Sequence, residues 1–254
     1  MLCILRTYVG ERQFNTIFAH FTFMKKLVFK HFIFINRLLS KRYLLLLISL
    51  IGMLVLPSLF ETLNYSYILS YILQGIVLFA CVYAVSESKK AMFVETVAGI
   101  ILVSINWMGL FNNNATVNFY FSFFVFVLFY IYVMIRLIRK ISNTPVVNQG
   151  VMFAAINVYL LIGIVGGFLF MMIENAIPGS IKNLQLESLT DPSRYIYFSF
   201  ITLSTLGYGD IVPVGSVARS LAIILSTTGP LYLTVLVAML VGRYLSQSNK
   251  SNRI

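Results

Sequence analysis

TLSTLGYGD, residues 202–210, places two glycines around a tyrosine, behind a run of hydroxyl residues, and closes on an aspartate. The chain around it is far more apolar. Of 254 residues, 59% are hydrophobic and only 11% are charged, and the mean hydropathy is +0.88. An ordinary soluble domain carries about 25% charged residues, so this chain lacks the charge to cover a water-facing surface. It reads as an integral membrane protein, and a glycine-punctuated polar segment inside it requires a reason.

Working outward, six apolar stretches flank or precede that segment: roughly 43–61, 66–86, 91–111, 117–138, 151–173 and 217–243. Each approaches or exceeds the ~20 residues that cross a hydrocarbon core of ~30 Å as a helix, the form that satisfies its own backbone where water is absent. The expected fold is an all-α membrane protein with six transmembrane helices. The opening motif lies in the segment 174–216, between the fifth and sixth; it occurs once, and no internal repeat is visible. Lys182, Arg194 and Arg219 fall on one side of this arrangement, and the rest of the 19 lysines and arginines on the other. Basic loops stay in the cytoplasm, so both termini are expected there, in a plasma (inner) membrane, with 174–216 facing outward.

The formal net charge of +11 therefore reflects topology and membrane lipids as partners, not nucleic acid. Residues 1–42 form a basic cytoplasmic segment whose stretch FTFMKKLVFKHFIFINRLLSKR suits an interfacial helix; alternatively, translation starts at Met24. Arg37, Lys41 and Arg42 interrupt the apolar region, so no signal peptide is expected. Cys3 and Cys81 make no disulfide framework, and His20 and His31 have no companions at metal-ligand spacing.

The motif makes physical sense as a backbone device. Glycine visits left-handed conformations at little cost. Glycines at 207 and 209 let successive residues alternate in hand, so that consecutive carbonyls point to one side. Four copies around an axis would stack rings of carbonyl oxygens that replace the hydration shell of a monovalent cation. Thr205, Leu206, Gly207 and Tyr208 are the candidate ion-binding residues, with the Thr205 hydroxyl as the lowest ring. Leu206 and Tyr208 then point away from the axis into surrounding protein, and Gly209, Asp210 and Tyr197 are the candidate supports. Upstream, Thr190-Asp191-Pro192-Ser193 reads as a helix start, a capping side chain followed by proline. A short aromatic helix to Ser204 follows, carrying Tyr195, Tyr197, Phe198 and Phe200. It is too short to cross the membrane, and its carbonyl end favours a cation.

Over roughly 151–243 this pattern resembles the potassium-channel pore family: outer helix, turret, pore helix, filter TLGYGD and inner helix. Leu206 departs modestly from the valine common at that position. The resemblance implies a re-entrant pore helix and selectivity filter between helices five and six, a homotetramer, and potassium selectivity. It implies no cofactor beyond permeant K⁺ at the filter carbonyls. Gly229 stands where related channels bend the inner helix, and Pro230 follows it. Proline removes a backbone donor, so 229–230 is a gating hinge or a fixed kink. Thr227 and Thr228 either present hydroxyls under the filter or bond back to their own helix. Leu233, Val237 and Val241 share a face; they line a narrow apolar mouth or pack on the outer helix.

Residues 43–140 are read as a four-helix membrane domain without a voltage sensor, since no charged residue lies between Val117 and Ile135 and such sensors need charge within the field. Glu95, near the cytoplasmic end of span three and within reach of Lys89, Lys90 or the basic end of span four, is read as a snorkelling or paired structural acid, with a functional intramembrane acid as the alternative. Glu61, Glu174, Glu187 and Asp191 lie on the outer side, where they concentrate cations or are solvated loop residues. Asp210 sits behind the filter within reach of the Tyr197 hydroxyl. The tail 244–254 is too short for a soluble ligand domain. Convergent acid, base and nucleophile are missing from the spans, so no enzyme is expected. The alternatives to a potassium-selective channel are a weakly selective cation channel of the same fold and a non-conducting membrane protein.

Overall fold

The structure, a computed structural model, describes residues 41–57, 59, 66–87, 89–111, 115–144, 147–184 and 192–251. The interfacial helix and the Met24 start lie outside these residues, as do Cys3, His20, His31, Glu61, Glu187 and the Thr190-Asp191 cap. Helix α1 covers 41–57. Then follow α2 (Ser66–Val85), α3 (Lys89–Phe111), α4 (Ala115–Asn143), α5 (Gln149–Ala176), β1 (Ile181–Lys182), α6 (Pro192–Leu203), β2 (Val212–Pro213) and α7 (Ser216–Ser251). Among the described residues the regular structure is helical apart from one antiparallel pair of two-residue strands, with Ile181 opposite Pro213 and Lys182 opposite Val212.

The long helices coincide with the six apolar stretches. Gln149–Ala176 and Ser216–Arg243 are long and apolar enough to cross a membrane; Ile72–Val85 and Met92–Ser104 are shorter apolar segments. Two helices outrun their apolar stretches: α4 continues through Arg136, Arg139 and Lys140 to Asn143, and α7 continues through the expected tail to Ser251. Arg and Lys are good helix formers, so hydropathy marks where lipid contact ends, not where the helix does. The α7 helix also runs unbroken through Pro230.

The core lies where α4 and α1 meet α5. Tyr130 and Phe168 stack with ring centroids 6.1 Å apart, and Phe123 meets Phe168 edge-on at 5.3 Å. Asn157 of α5 is fully buried and its amide donates to the Tyr43 carbonyl of α1 at 2.9 Å. Such side-chain bonds tie helices together where water cannot compete. Only residues 144–148 connect α4 to α5, and Asn148 caps α5 by accepting from the Val151 amide at 3.0 Å. The α1 and α4 helices therefore pack on α5, and α2 and α3 pack on α4.

On its other side α5 carries α6 and α7. Gly163, Gly166 and Gly167 give α6 its seat. A Cβ on Gly163 would lie 2.5 Å from the Phe200 ring, and one on Gly167 would lie 2.7 Å from the Ile196 Cα; one on Gly166 would collide with the Ser199 hydroxyl. That hydroxyl is buried and donates to the Gly163 carbonyl at 2.7 Å. Small residues let backbones approach in this way. The α7 helix meets α5 at Leu225, which lies against Gly166, and at Tyr232, whose hydroxyl donates to the Ala155 carbonyl at 2.7 Å and whose ring stacks on Tyr159.

Candidate functional site

The site is built from the C-terminal end of α6. The helix has 12 residues, hence a length of about 18 Å. Tyr195, Phe198 and Ile201 are buried, with Phe198 packed on Phe170 of α5 at 4.5 Å. Tyr197 faces the other way and is exposed. Helix ends leave carbonyls that need donors. Here the chain beyond supplies them: Ser204 N donates to Phe200 O, Thr205 N to Thr202 O, and both Leu206 N and Gly207 N to the single carbonyl of Ile201 at 3.0 and 3.1 Å. The amides of 206 and 207 are therefore turned back toward the helix.

Thr205, Gly207 and Gly209 have φ of +60°, +55° and +80°, while Leu206 and Tyr208 between them do not have positive φ. The hand of the backbone alternates over five residues. Gly207 and Gly209 adopt it freely. Thr205 is β-branched, a residue type for which positive φ is a true outlier; such strain, of order 1–3 kcal/mol, persists where the surroundings over-determine it. The two bonds onto Ile201 provide that constraint. Leu206 and Tyr208 are 54% and 69% exposed, so within one chain nothing covers the side chains that were expected to point into protein.

Beyond the motif the chain is held from outside. The Tyr197 hydroxyl donates to Asp210 Oδ2 at 2.7 Å, and the Asn183 amide donates to the Asp210 carbonyl at 2.9 Å. The Tyr197 bond lowers the Asp210 pKa below its ordinary value and raises that of Tyr197. Val214 N and Gly215 N donate to the Ser180 carbonyl, continuing the β1–β2 pair. Glu174 closes this brace. It is 5% exposed, and its two carboxylate oxygens accept from Gly179 N at 2.7 Å and Ile181 N at 2.8 Å. Sequence reasoning placed Glu174 among outer acids that concentrate cations or face water; the structure buries it as the organiser of the turret.

The other expected residues sit on α7. Gly229 is buried, and a Cβ there would collide with the Leu203 carbonyl oxygen. The glycine is thus required where α7 crosses the end of α6, whether or not the helix bends there. Pro230 is exposed beside it, and Thr227 is exposed with Thr228 half-buried. Leu233, Val237 and Val241 are 44%, 56% and 51% exposed, so they do not pack on the outer helix; Tyr232, Leu236 and Leu240 form the packed face instead. Glu95 accepts from the hydroxyls of Ser86 and Tyr132 at 2.5 and 2.9 Å. Among the described residues its hydrogen-bond partners are thus hydroxyls, one of them on α4.

Arg243 was not singled out by sequence. Its Nη1 donates to the carbonyls of Ile141 and Thr144 at 2.7 Å each, and its Nη2 to Ser142 at 3.1 Å. One guanidinium on α7 thereby binds the carbonyl end of α4, the favourable site for a cation.

A family profile described as "Ion channel" matches residues 156–246, the region from the outer helix to the end of this site. Two curated proteins match shorter or weaker segments. "Two-pore potassium channel 4" of Arabidopsis thaliana is 48% identical over 50 residues, covering 20% of this chain and 18% of that protein. "Calcium-gated potassium channel TvoK" of Thermoplasma volcanium is 25% identical over 114 residues, covering 45% and 29%. The chain thus spans less than a third of the length of the curated relatives it matches. No solved structure matches. The glycine-seated helix, the alternating backbone and the crossing helix thus lie in a region similar to an ion-channel family, and parts of the chain are similar to potassium channels.

Proposed function

We propose that the chain is one subunit of a homotetrameric, potassium-selective channel that conducts K⁺ passively. The observation that carries this reading is the alternation of positive φ at Thr205, Gly207 and Gly209 together with the Leu206 and Gly207 amides drawn back onto Ile201. With those amides turned back, the carbonyls of Thr205 and Leu206, on the opposite side of the same peptide planes, point away from Ile201, and the reading extends this to Gly207 and Tyr208 so that all four face an axis. Rings of such carbonyls replace a cation's hydration shell. The similarity to potassium channels supports the choice of ion, and similarity to a channel family favours transport over enzymatic chemistry.

A single chain cannot complete this site, and its exposed surfaces suit copies of itself. Leu206, Tyr208 and the apolar Ile223, Val235, Val237 and Val241 of α7 are all at least half exposed. A hollow of about 560 Å³ opens beside the filter between Thr205, Gly209, Arg219 and Ile223. In the tetramer a neighbour covers Leu206 and Tyr208, and Leu233, Val237 and Val241 line the inner mouth, where an apolar constriction closes by losing water. Residues 43–140 form the peripheral membrane domain, 151–243 the pore domain, and both termini lie in the cytoplasm.

The test is a reversal potential in planar bilayers under opposed K⁺ and Na⁺ gradients. The reading expects reversal near the K⁺ equilibrium potential, and it expects Gly207→Ala, which strains a left-handed residue, to reduce selective current. Equal permeability to the two ions would leave a weakly selective cation channel. Undiminished selectivity in Gly207→Ala would remove the filter assignment.

A further inference from the structure

We propose that the ends of α1, α2 and α4 form a binding site for a phosphate-bearing anion. A cavity of about 390 Å³ opens there, lined by Arg42 and Tyr43 of α1, Ser86 and Glu87 just beyond α2, and Arg136 and Lys140 of α4. The volume lies within the roughly 300–1,000 Å³ of small-ligand pockets. Three cations and one carboxylate line it. Glu87 pairs with Arg136 at 3.7 Å, and its side chain is 67% exposed, so water screens its repulsion of an anion; a second carboxylate, Glu95, lies behind Ser86, held by the hydroxyls of Ser86 and Tyr132.

The cations are already held in place. Arg42 Nη1 donates to the Ser86 carbonyl at 3.0 Å, and its guanidinium lies over the Tyr83 ring at 4.8 Å. Arg136 Nη2 reaches the Val85 carbonyl at 3.5 Å. These carbonyls belong to the C-terminal end of α2, whose partial negative charge would otherwise disfavour an anion; the two arginines cover it. Donor capacity remains. Arg42 Nε is buried with no hydrogen-bond partner, and the Lys140 ammonium has no ion-pair partner among the described residues. The Lys140 ammonium is the charge left for a phosphate oxygen to meet in the cavity. Guanidinium forks match phosphate geometry, and an ammonium adds a point charge.

The ligand's shared chemistry is a phosphate ester, carried by a lipid headgroup or by a soluble molecule. Ala84, Val85 and Leu137 also line the cavity and suit an acyl chain. The site lies on the side that the charge distribution assigns to the cytoplasm, where basic pockets between membrane helices hold anionic headgroups. The inference rests on the same membrane placement as the channel reading, but not on conduction.

The experiment is native mass spectrometry of the full chain released from vesicles of phosphatidylcholine mixed with phosphatidic acid, repeated with inorganic phosphate and glycerol 1-phosphate in solution. Phosphatidic acid is expected to be retained over phosphatidylcholine. Arg42→Gln and Lys140→Gln are each expected to weaken retention about fivefold, the weight of one basic residue near an anionic surface. Lys182→Gln, at the opposite end of the molecule, is expected to change nothing. Lys140 makes no structural side-chain bond among the described residues, so its variant remains informative if Arg42→Gln fails to fold. Binding of glycerol 1-phosphate or phosphate with the same sensitivity to the variants supports the site and identifies a soluble source. Equal retention of both lipids without phosphate binding, or wild-type retention by Lys140→Gln, overturns the proposal. Because ion flux is not the readout, a failed site and a failed channel give different results.

Discussion

Asp210 and Tyr197 make a pH-dependent contact whose sign can be worked out. The bond lowers the Asp210 pKa below its ordinary 3.8. A carboxyl with a depressed folded-state pKa stabilises the fold fully above its unfolded value and loses that contribution as pH falls through the lower, folded value. The loop should therefore be insensitive to acid down to the ordinary carboxylate range and weaken below it. Tyr197→Phe should move the Asp210 titration back up toward that range, which carboxyl NMR shifts against pH would report. Gly229→Ala makes a second prediction: its new methyl meets a backbone carbonyl that cannot swing aside. Overpacking typically destabilises by about 1–3 kcal/mol, and here thermal unfolding should show the upper end. At this scale sequence is uneven evidence. Gly207 and Gly209 announce left-handed backbone because nothing else tolerates it so well. Thr205 shares that conformation without any local sign, because the constraint comes from Ile201 through hydrogen bonds. Glu174 was misread for a similar reason: a carboxylate after an apolar helix looks solvated until the amides that fold back onto it are known.

Among elements, α7 is joined to α4 by Arg243. Hydrogen bonds to a charged group contribute about 1.5–3 kcal/mol when buried, less where water reaches them. Arg243→Gln should thus destabilise the protein by about 1–2 kcal/mol and shift the open fraction of single channels, as the lower end of α7 is released. Arg243→Lys should fall between, since one ammonium lacks the planar fork that reaches three carbonyls. Glu174→Gln should loosen the turret by about 1–3 kcal/mol, because it sets an NH₂ group against one of the two amides, Gly179 N and Ile181 N, that the carboxylate now accepts from; hydrogen exchange at Gly179 and Ile181 would detect it. The helices themselves were legible in hydropathy. Their extents at the basic ends were not, because charge changes the solvent a helix meets without ending it. The seat at Gly163, Gly166 and Gly167 was also hidden, since a glycine in an apolar helix looks the same whether it faces lipid or another backbone.

For the whole molecule, the proposed tetramer predicts a fourfold mass in native mass spectrometry, and the lack of charge from Val117 to Ile135 predicts an open probability with little dependence on voltage. The proposed fourfold assembly rests on the motif's need for copies; the way α4 packs on α5 was not legible, since it is decided by the brevity of residues 144–148 and the contacts of Phe168 and Asn157. That brevity has a genetic corollary. If mutant and normal gene products mix in the proposed ring, each subunit would carry its own lesion intact. Damage to the outer helices should then impair conduction in proportion to the number of defective members, rather than being transmitted to the healthy neighbour alongside.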